Sequence, residues 1–224
     1  MIHVALLFLV VQAVGPSASP IQPDQLRIRF VGNEGVELSD GVTSLMVDLP
    51  YQPGASGYMV YDPEALQPPG LVISLITHGH ADHFDETLFL ARDWSIIGPA
   101  EVTGRLPAER VIPLSEAISV GEFTVRPHRT AHGDPEHYSY FVAWRGLRLY
   151  FVGDTENPSH LLSVTKLDVA FVTPWLGCTA GAFGRRIDAD RIILYHHREG
   201  EGTRGCFEAV VMEQGESFTL SARP

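Results

Sequence analysis

The stretch Ile76–Asp85, ITHGHADHFD, sets three histidines and two aspartates within ten residues. Each would be costly to bury alone, because imidazoles and carboxylates lose hydration that apolar neighbours cannot replace. A divalent cation offsets that loss, since imidazole nitrogens and carboxylate oxygens are its ordinary ligands. In a locally extended segment residues i and i+2 project to one side, so His78 and His80 can reach one cation. Asp82 and His83 then turn toward a neighbouring position, and the spacing can serve two metals. A catalytic zinc is held by about three or four protein ligands with one position left for water. Further ligands must therefore come from elsewhere, and three junctions offer them: His132 in RTAHGD, Asp154 in YFVGDTEN, and His196 or His197 in ILYHHREG.

Each of these residues follows an apolar run, which defines the elements that must position it. LVISLIT, ahead of the histidine cluster, is continuous and apolar, as in a strand buried on both faces. Before it, LRIRFVG, GVELSD and SLMVDL, separated by Asn33, Gly35, Asp40 and Gly41, read as the first strands of a meander. DETLFLARDW has an acidic start and helical spacing that extends toward Trp94, giving a strand, loop, helix succession at the cluster. WSIIGP, AISVG, EFTVRPH, YSYFVAW, LRLYFVGD, LDVAFVTPW and DRIILYHH are strand-like with few helical windows between them. The pattern is a strand-rich α/β chain in which sites at strand carboxyl ends are expected.

Length and charge narrow the function. The 224 residues suit one substantial domain over 20–224. A formal charge of −11, with basic residues that are arginine except for Lys166, repels phosphate backbones, so nucleic acid is not an expected partner. A small-molecule substrate is. Residues 1–19 have the outline of a secretory signal peptide, with the mature chain starting near Pro20 or Ile21. Their apolar run is shorter than the roughly 20 residues of a membrane span, so export to a periplasm or secretion is expected. Cys178 and Cys206 then allow a disulfide without requiring one.

Taken in order, His-x-His-x-Asp-His at 78–83, His132, Gly-Asp-Thr at 153–155 and a late histidine resemble the metallo-β-lactamase superfamily over about Leu26 to His197. Within it the chain looks most like the compact branch containing L-ascorbate-6-phosphate lactonase and N-acylphosphatidylethanolamine-hydrolysing phospholipase D. The resemblance implies a four-layer αββα sandwich and two divalent ions, Zn with Mn or Fe as alternatives. It makes His78, His80 and His132 ligands of one ion, Asp82, His83 and His196 ligands of the other, and Asp154 the bridge. It favours His196 over His197, since Leu194-Tyr195-His196 matches the family's Pro-x-His ending. The implied activity is hydrolysis of a small ester, lactone, amide or phosphodiester by a bridging hydroxide, with Asp82 and Asp154 in catalytic roles. An iron-dependent redox enzyme of the persulfide dioxygenase kind and a non-catalytic metal-binding module are the alternatives.

Other features read more plainly. His3, His128, His137 and His160 are expected to be hydrogen-bonded surface or core histidines. Trp175, Phe183, Arg185, Arg186 and Arg198 are loop candidates for substrate contact. GEGTRG at 200–205 has glycine spacing that suggests a dinucleotide loop, but it lacks a following helix and acidic partner, and reads as a flexible loop. Asn33 stands where members of the family often have histidine, and Leu194 where they often have proline.

Overall fold

The computed structural model describes residues 20–182, 186–198, 200–201 and 208–223. The alternation of LRIRFVG is realised as β1 (Gln25–Gly32), with Leu26, Ile28 and Phe30 fully buried. Arg27 and Arg29, between them, pair with Glu37 of β2 (Gly35–Ser39). β3 (Thr43–Val47) completes the meander, and β4 (Leu71–Leu75) and β5 (Ser95–Ile97) join it in parallel. Two short helices, α1 (Glu86–Leu90) and α2 (Ala100–Thr103), place Phe89 and Val102 in an apolar layer with Met46, Val72 and Ile96.

The second half builds another sheet. β6 (Ile118–Val120), β7 (Phe123–Arg129), β8 (Tyr138–Trp144) and β9 (Leu147–Phe151) run antiparallel in succession. β10 (Leu167–Val172), β11 (Ala189–Leu194) and β12 (Val210–Val211) continue from β9 in parallel, with α3 (Pro174–Ala182) between β10 and β11. β13 (Ser217–Ser221) returns to the first sheet beside β1. The strand orders are β13-β1-β2-β3-β4-β5 and β12-β11-β10-β9-β8-β7-β6. Inward residues of both sheets, such as Leu45, Val47, Leu75, Val142, Leu149 and Phe171, share one core, as in an α/β sandwich.

Two expectations about elements change. The helix after Asp85 starts as expected, Leu88 N–H donating to the Asp85 carboxylate at 2.9 Å, but ends at Leu90. The chain must extend there, because Trp94 is buried in the outer apolar layer and β5 begins at the next residue. LDVAFVTPW is not strand throughout: β10 stops at Val172, and Pro174 opens α3, a position where its missing N–H is harmless. The glycine-rich composition of PWLGCTAGA hid that helix, which buries Leu176 and Ala180. The leader 1–19, Phe183, Arg185, Gly202 to Gly205 and Cys206 lie outside the described residues. Among the described residues no helix is long and apolar enough to cross a membrane.

Tyr140 of β8 links the two sheets directly beneath the histidine cluster. Its hydroxyl donates to the Ile76 carbonyl at 2.7 Å, and both residues are fully buried. Tyr140→Phe strands that carbonyl and should destabilise the protein by about 1–3 kcal/mol, read as a lower urea midpoint with an unchanged slope.

Candidate metal centre

The chain segments after β4, between β7 and β8, after β9 and after β11 converge at one end of the sandwich. They form two adjoining groups. In the first, the ligand atoms of His78, His80, His132 and Asp154 lie within 4.8 Å of one another. His78 Nε2 approaches His80 Nδ1 at 2.8 Å, and the His78 and His132 rings are 4.7 Å apart. In the second, Asp82, His83 and His196 meet the same criterion. Asp154 faces both groups: one carboxylate oxygen is 3.8 Å from His78 Nε2 and 3.4 Å from His83 Nε2, the other 3.0 Å from His196 Nε2. All seven residues named from the sequence are therefore brought together. His197 is not among them, since it stacks on Phe30 at 5.6 Å and its Nδ1 meets the Arg198 carbonyl.

The surroundings fix how these side chains present themselves. Asp48 accepts from the Thr77 backbone N–H at 2.8 Å and from its hydroxyl. Thr77 Oγ1 in turn meets His78 Nδ1 at 3.1 Å, which leaves the His78 Nε2 lone pair facing the first group. His132 Nδ1 donates to the Asp154 carbonyl at 3.0 Å, so its Nε2 also carries a lone pair. Asp48 Oδ2 lies 3.2 Å from His83 Nδ1, on the ring edge opposite Asp82 and Asp154. Carboxylate or carbonyl partners on the far ring nitrogen are what orient metal-ligating histidines.

His137, read from the sequence as a hydrogen-bonded histidine, is one, and it holds the centre. The Asp154 N–H donates to His137 Nε2 at 2.9 Å. The proton must then sit on Nδ1, which donates to Thr130 Oγ1 at 2.8 Å. Thr130 and Ser139 pass the chain on to the Val152 carbonyl. Gly153, between these strands and the site, has φ +63, and a Cβ there would sit 2.3 Å from His137 Nε2. Only glycine allows this approach.

Four of the ring and carboxylate atoms that look inward have no hydrogen-bond partners. His83 Nε2, His132 Nε2, His196 Nε2 and Asp154 Oδ1 are buried and unsatisfied. His196 Nε2 and Asp154 Oδ1 approach at 3.0 Å without hydrogen-bond alignment. Buried polar atoms in native proteins are nearly always partnered, and a convergent set that is not fits cations. Without a cation, burial alone would raise the Asp154 pKa, but His83 and His196 outweigh it and hold the carboxyl well below its usual range. Burial opposes charge on His83, yet Asp154 and Asp48 keep its pKa well above that of a free histidine. Burial, then His83, depresses His78. Burial, then His132, lowers His137 to about 3.

The rim carries the substrate-contact candidates selectively. Trp175, at the start of α3, packs edge-on to His196 with centroids 5.0 Å apart. Tyr58, which the sequence did not single out, packs on the other side at 4.2 Å, and the Arg198 guanidinium lies 4.9 Å above its ring. Arg186 instead lines a cavity of about 1140 Å³ beside β11 that contains none of the clustered histidines. A cavity of about 770 Å³ opens beside His132, between Pro158, Leu162 and Thr179. Glu34, Asp48 and Thr77 also went unremarked as site residues, and Asn33 was noted only as standing where members of the family often have histidine. Asp48 alone left a signal, an acidic residue ending the apolar run SLMV.

The family model described as a beta-lactamase superfamily domain matches residues 56–177. None of the curated proteins matches the chain in sequence. Solved structures are similar in fold. A "possible metal-dependent hydrolase" from Veillonella parvula has 18% identity and TM-score 0.67, covering 87% of this chain and 99% of that one. The metallo-beta-lactamase fold protein YhfI from Bacillus subtilis has 14% identity and TM-score 0.65, covering 88% and 100%. An isothiocyanate hydrolase from Delia radicum gut bacteria has 14% identity and TM-score 0.59, covering 88% and 100%.

The proton balance of the metal-free protein gives a pH prediction. Burial lowers His78, His128 and His137, the last two to about 4 and about 3. From pH 6.5 down to about 4.5 the unfolded chain therefore binds protons at these sites that the folded chain refuses. Glu34, raised first by burial and then by Asp154, and His83, which Asp154 and Asp48 hold raised against its burial, act in the opposite sense. His160, lowered by burial, sides with the three, and four groups against two mean that stability falls on acidification. Thermal melting in chelator should give a lower midpoint at pH 4.5 than at pH 7, and an equal or higher midpoint would contradict the assignment.

Proposed function

The chain belongs to the beta-lactamase superfamily, and from that premise we propose that it is a dinuclear metal-dependent hydrolase of the compact lactonase-like kind. Its substrate is a small ester, lactone, amide or phosphodiester. The observation that carries this reading is the set of buried, unpartnered histidine and aspartate atoms facing a common centre. His78, His80 and His132 would hold one ion, Asp82, His83 and His196 the other, and Asp154 both. Mixed nitrogen and oxygen donors suit Zn, Mn and Fe. When bound, such ions supply Lewis acidity toward a substrate oxygen and acidify a water molecule.

The chain's own groups do the rest. Asp154 stays ionised and His78 stays neutral near pH 7, ready to bind an ion, whereas His83 holds a proton that an ion would have to displace. Tyr58 keeps its phenolic proton, since burial and then Asp154 raise its pKa. It stands at the rim as a donor for a substrate oxygen. Arg198, stacked on Tyr58, suits a single carboxylate or phosphate on the substrate. The strong negative charge of the chain disfavours polyanions. Trp175 and the cavity beside His132 offer apolar surface to the leaving group. The leader-like residues 1–19 support an exported setting for this activity.

Elemental mass spectrometry of untagged protein purified without chelator should find about two Zn or Mn per chain. A panel of esters, lactones, phosphodiesters and, given the isothiocyanate hydrolase of similar fold, isothiocyanates should then yield turnover. His78→Ala with His80→Ala should cut that turnover below about one hundredth, in line with losses at metal shells, while the circular dichroism is retained. One Fe per chain with no hydrolysis would overturn the reading.

A further inference from the structure

The β1–β2 turn is two residues long, with Gly32 paired to Gly35 across it. Connections of this kind ordinarily lie in solvent, because their backbone groups need water. Here Asn33 and Glu34 are both fully buried. The turn touches every member of the second histidine–aspartate group. Asn33 Nδ2 donates to the Asp82 carbonyl at 2.7 Å, and the Asn33 carbonyl accepts from the His196 N–H at 2.7 Å. Glu34 Oε2 lies 3.3 Å from His83 Nδ1. Among the described residues, neither Asn33 nor Glu34 makes a hydrogen bond or ion pair with His78, His80 or His132.

These contacts join segments far apart in the chain. Asp82 and His83 follow β4, whereas His196 follows β11 of the other sheet. His196 has φ 52 and Asn33 φ 54, left-handed conformations that side chains rarely adopt and that need outside support. The 2.7 Å bond between the two residues supplies it. Glu34 adds a carboxyl group where burial would ordinarily exclude one: neither of its oxygens has a hydrogen-bond partner. Its ion-pair neighbour is His83, and Asp48 meets the same ring nitrogen at 3.2 Å. Two carboxyl groups thus flank His83 Nδ1, leaving Nε2 to the centre. Carboxylates placed this way orient a ligating histidine and strengthen its donation.

We propose that the Asn33–Glu34 turn positions the second metal group and sets the affinity of that position alone. The inference rests on the reading that both groups bind ions. Asn33 and Glu34 are positioning residues, acting through Asp82, His83 and His196.

The test compares chelator-stripped wild type, Glu34→Gln and Asn33→Gly, each titrated with Zn²⁺ against a chromophoric chelator. Glu34→Gln keeps shape and replaces one carboxyl oxygen facing His83 by an amide. Asn33→Gly removes the amide and relaxes the backbone. Wild type should bind two ions. Both variants should bind the first as wild type does and the second about 10- to 100-fold more weakly, the loss usual for partners of ligating histidines. Circular dichroism of the stripped proteins identifies any variant that fails to fold, and the isosteric Glu34→Gln decides if Asn33→Gly does. Two ions held with wild-type affinity by folded Glu34→Gln would overturn the proposal, as would a parallel loss of both. Wild type that binds no ion would remove the underlying reading and the proposal with it.

Discussion

Asp154 has to remain ionised while almost fully buried, and the centre is arranged around that requirement. An isolated carboxylate in an apolar interior would take up a proton. Here His83 and His196 face its oxygens, His137 accepts from its N–H, and its carbonyl accepts from His132. The same residue thereby fixes the tautomers of two neighbouring histidines. Remove the negative charge and the inward-looking nitrogens lose what balances them. Remove the nitrogens and the charge cannot stay.

That balance explains why the site lies where it does. In both sheets, parallel strands send their carboxyl ends the same way, β4 in the first and β9 to β11 in the second. Packing the sheets face to face therefore brings four loops to one end of a shared core. Tyr140 and Tyr195 carry the connection inward: Tyr140 bonds the Ile76 carbonyl, and the Gly153 N–H donates to the Tyr195 hydroxyl at 2.6 Å. Both rings are fully buried, so the loops that bear His78 and Asp154 are tied to the rigid part of the protein.

Much of this was legible in the residues themselves. Period-two alternation in β1 and continuous apolar runs in β4 and β10 announce their burial, and a histidine or aspartate after such a run announces the site. The identity of the late histidine was decided by backbone geometry instead: at φ 52 His196 turns into the centre, and His197 packs on Phe30. α3 was hidden because its glycines and alanines have weak helical periodicity and packing holds it. Asn33, Glu34 and Asp48 carry residue types common in turns, and nothing local distinguishes a turn in solvent from one driven into a core. His137 was read only as hydrogen-bonded, since the partner that gives it meaning, the Asp154 N–H, is distant in sequence.

The placement of strain follows the same logic. Among the described residues six non-glycine residues have positive φ, and Asn33, Asp48 and His196 are three of them. Each costs on the order of 1–3 kcal/mol at most, and asparagine, aspartate and histidine tolerate the left-handed region better than most residues. Such conformations persist only where the surroundings over-determine them. Around Asn33 and His196 the over-determination is mutual, through a backbone bond. Around Asp48 it comes from Thr77, whose N–H and hydroxyl both donate to the carboxylate. The apolar core between the sheets supplies the stability against which these local costs are set, and the buried carboxylates supply a cost that only positive charge can offset. A site built this way gains order from what it binds.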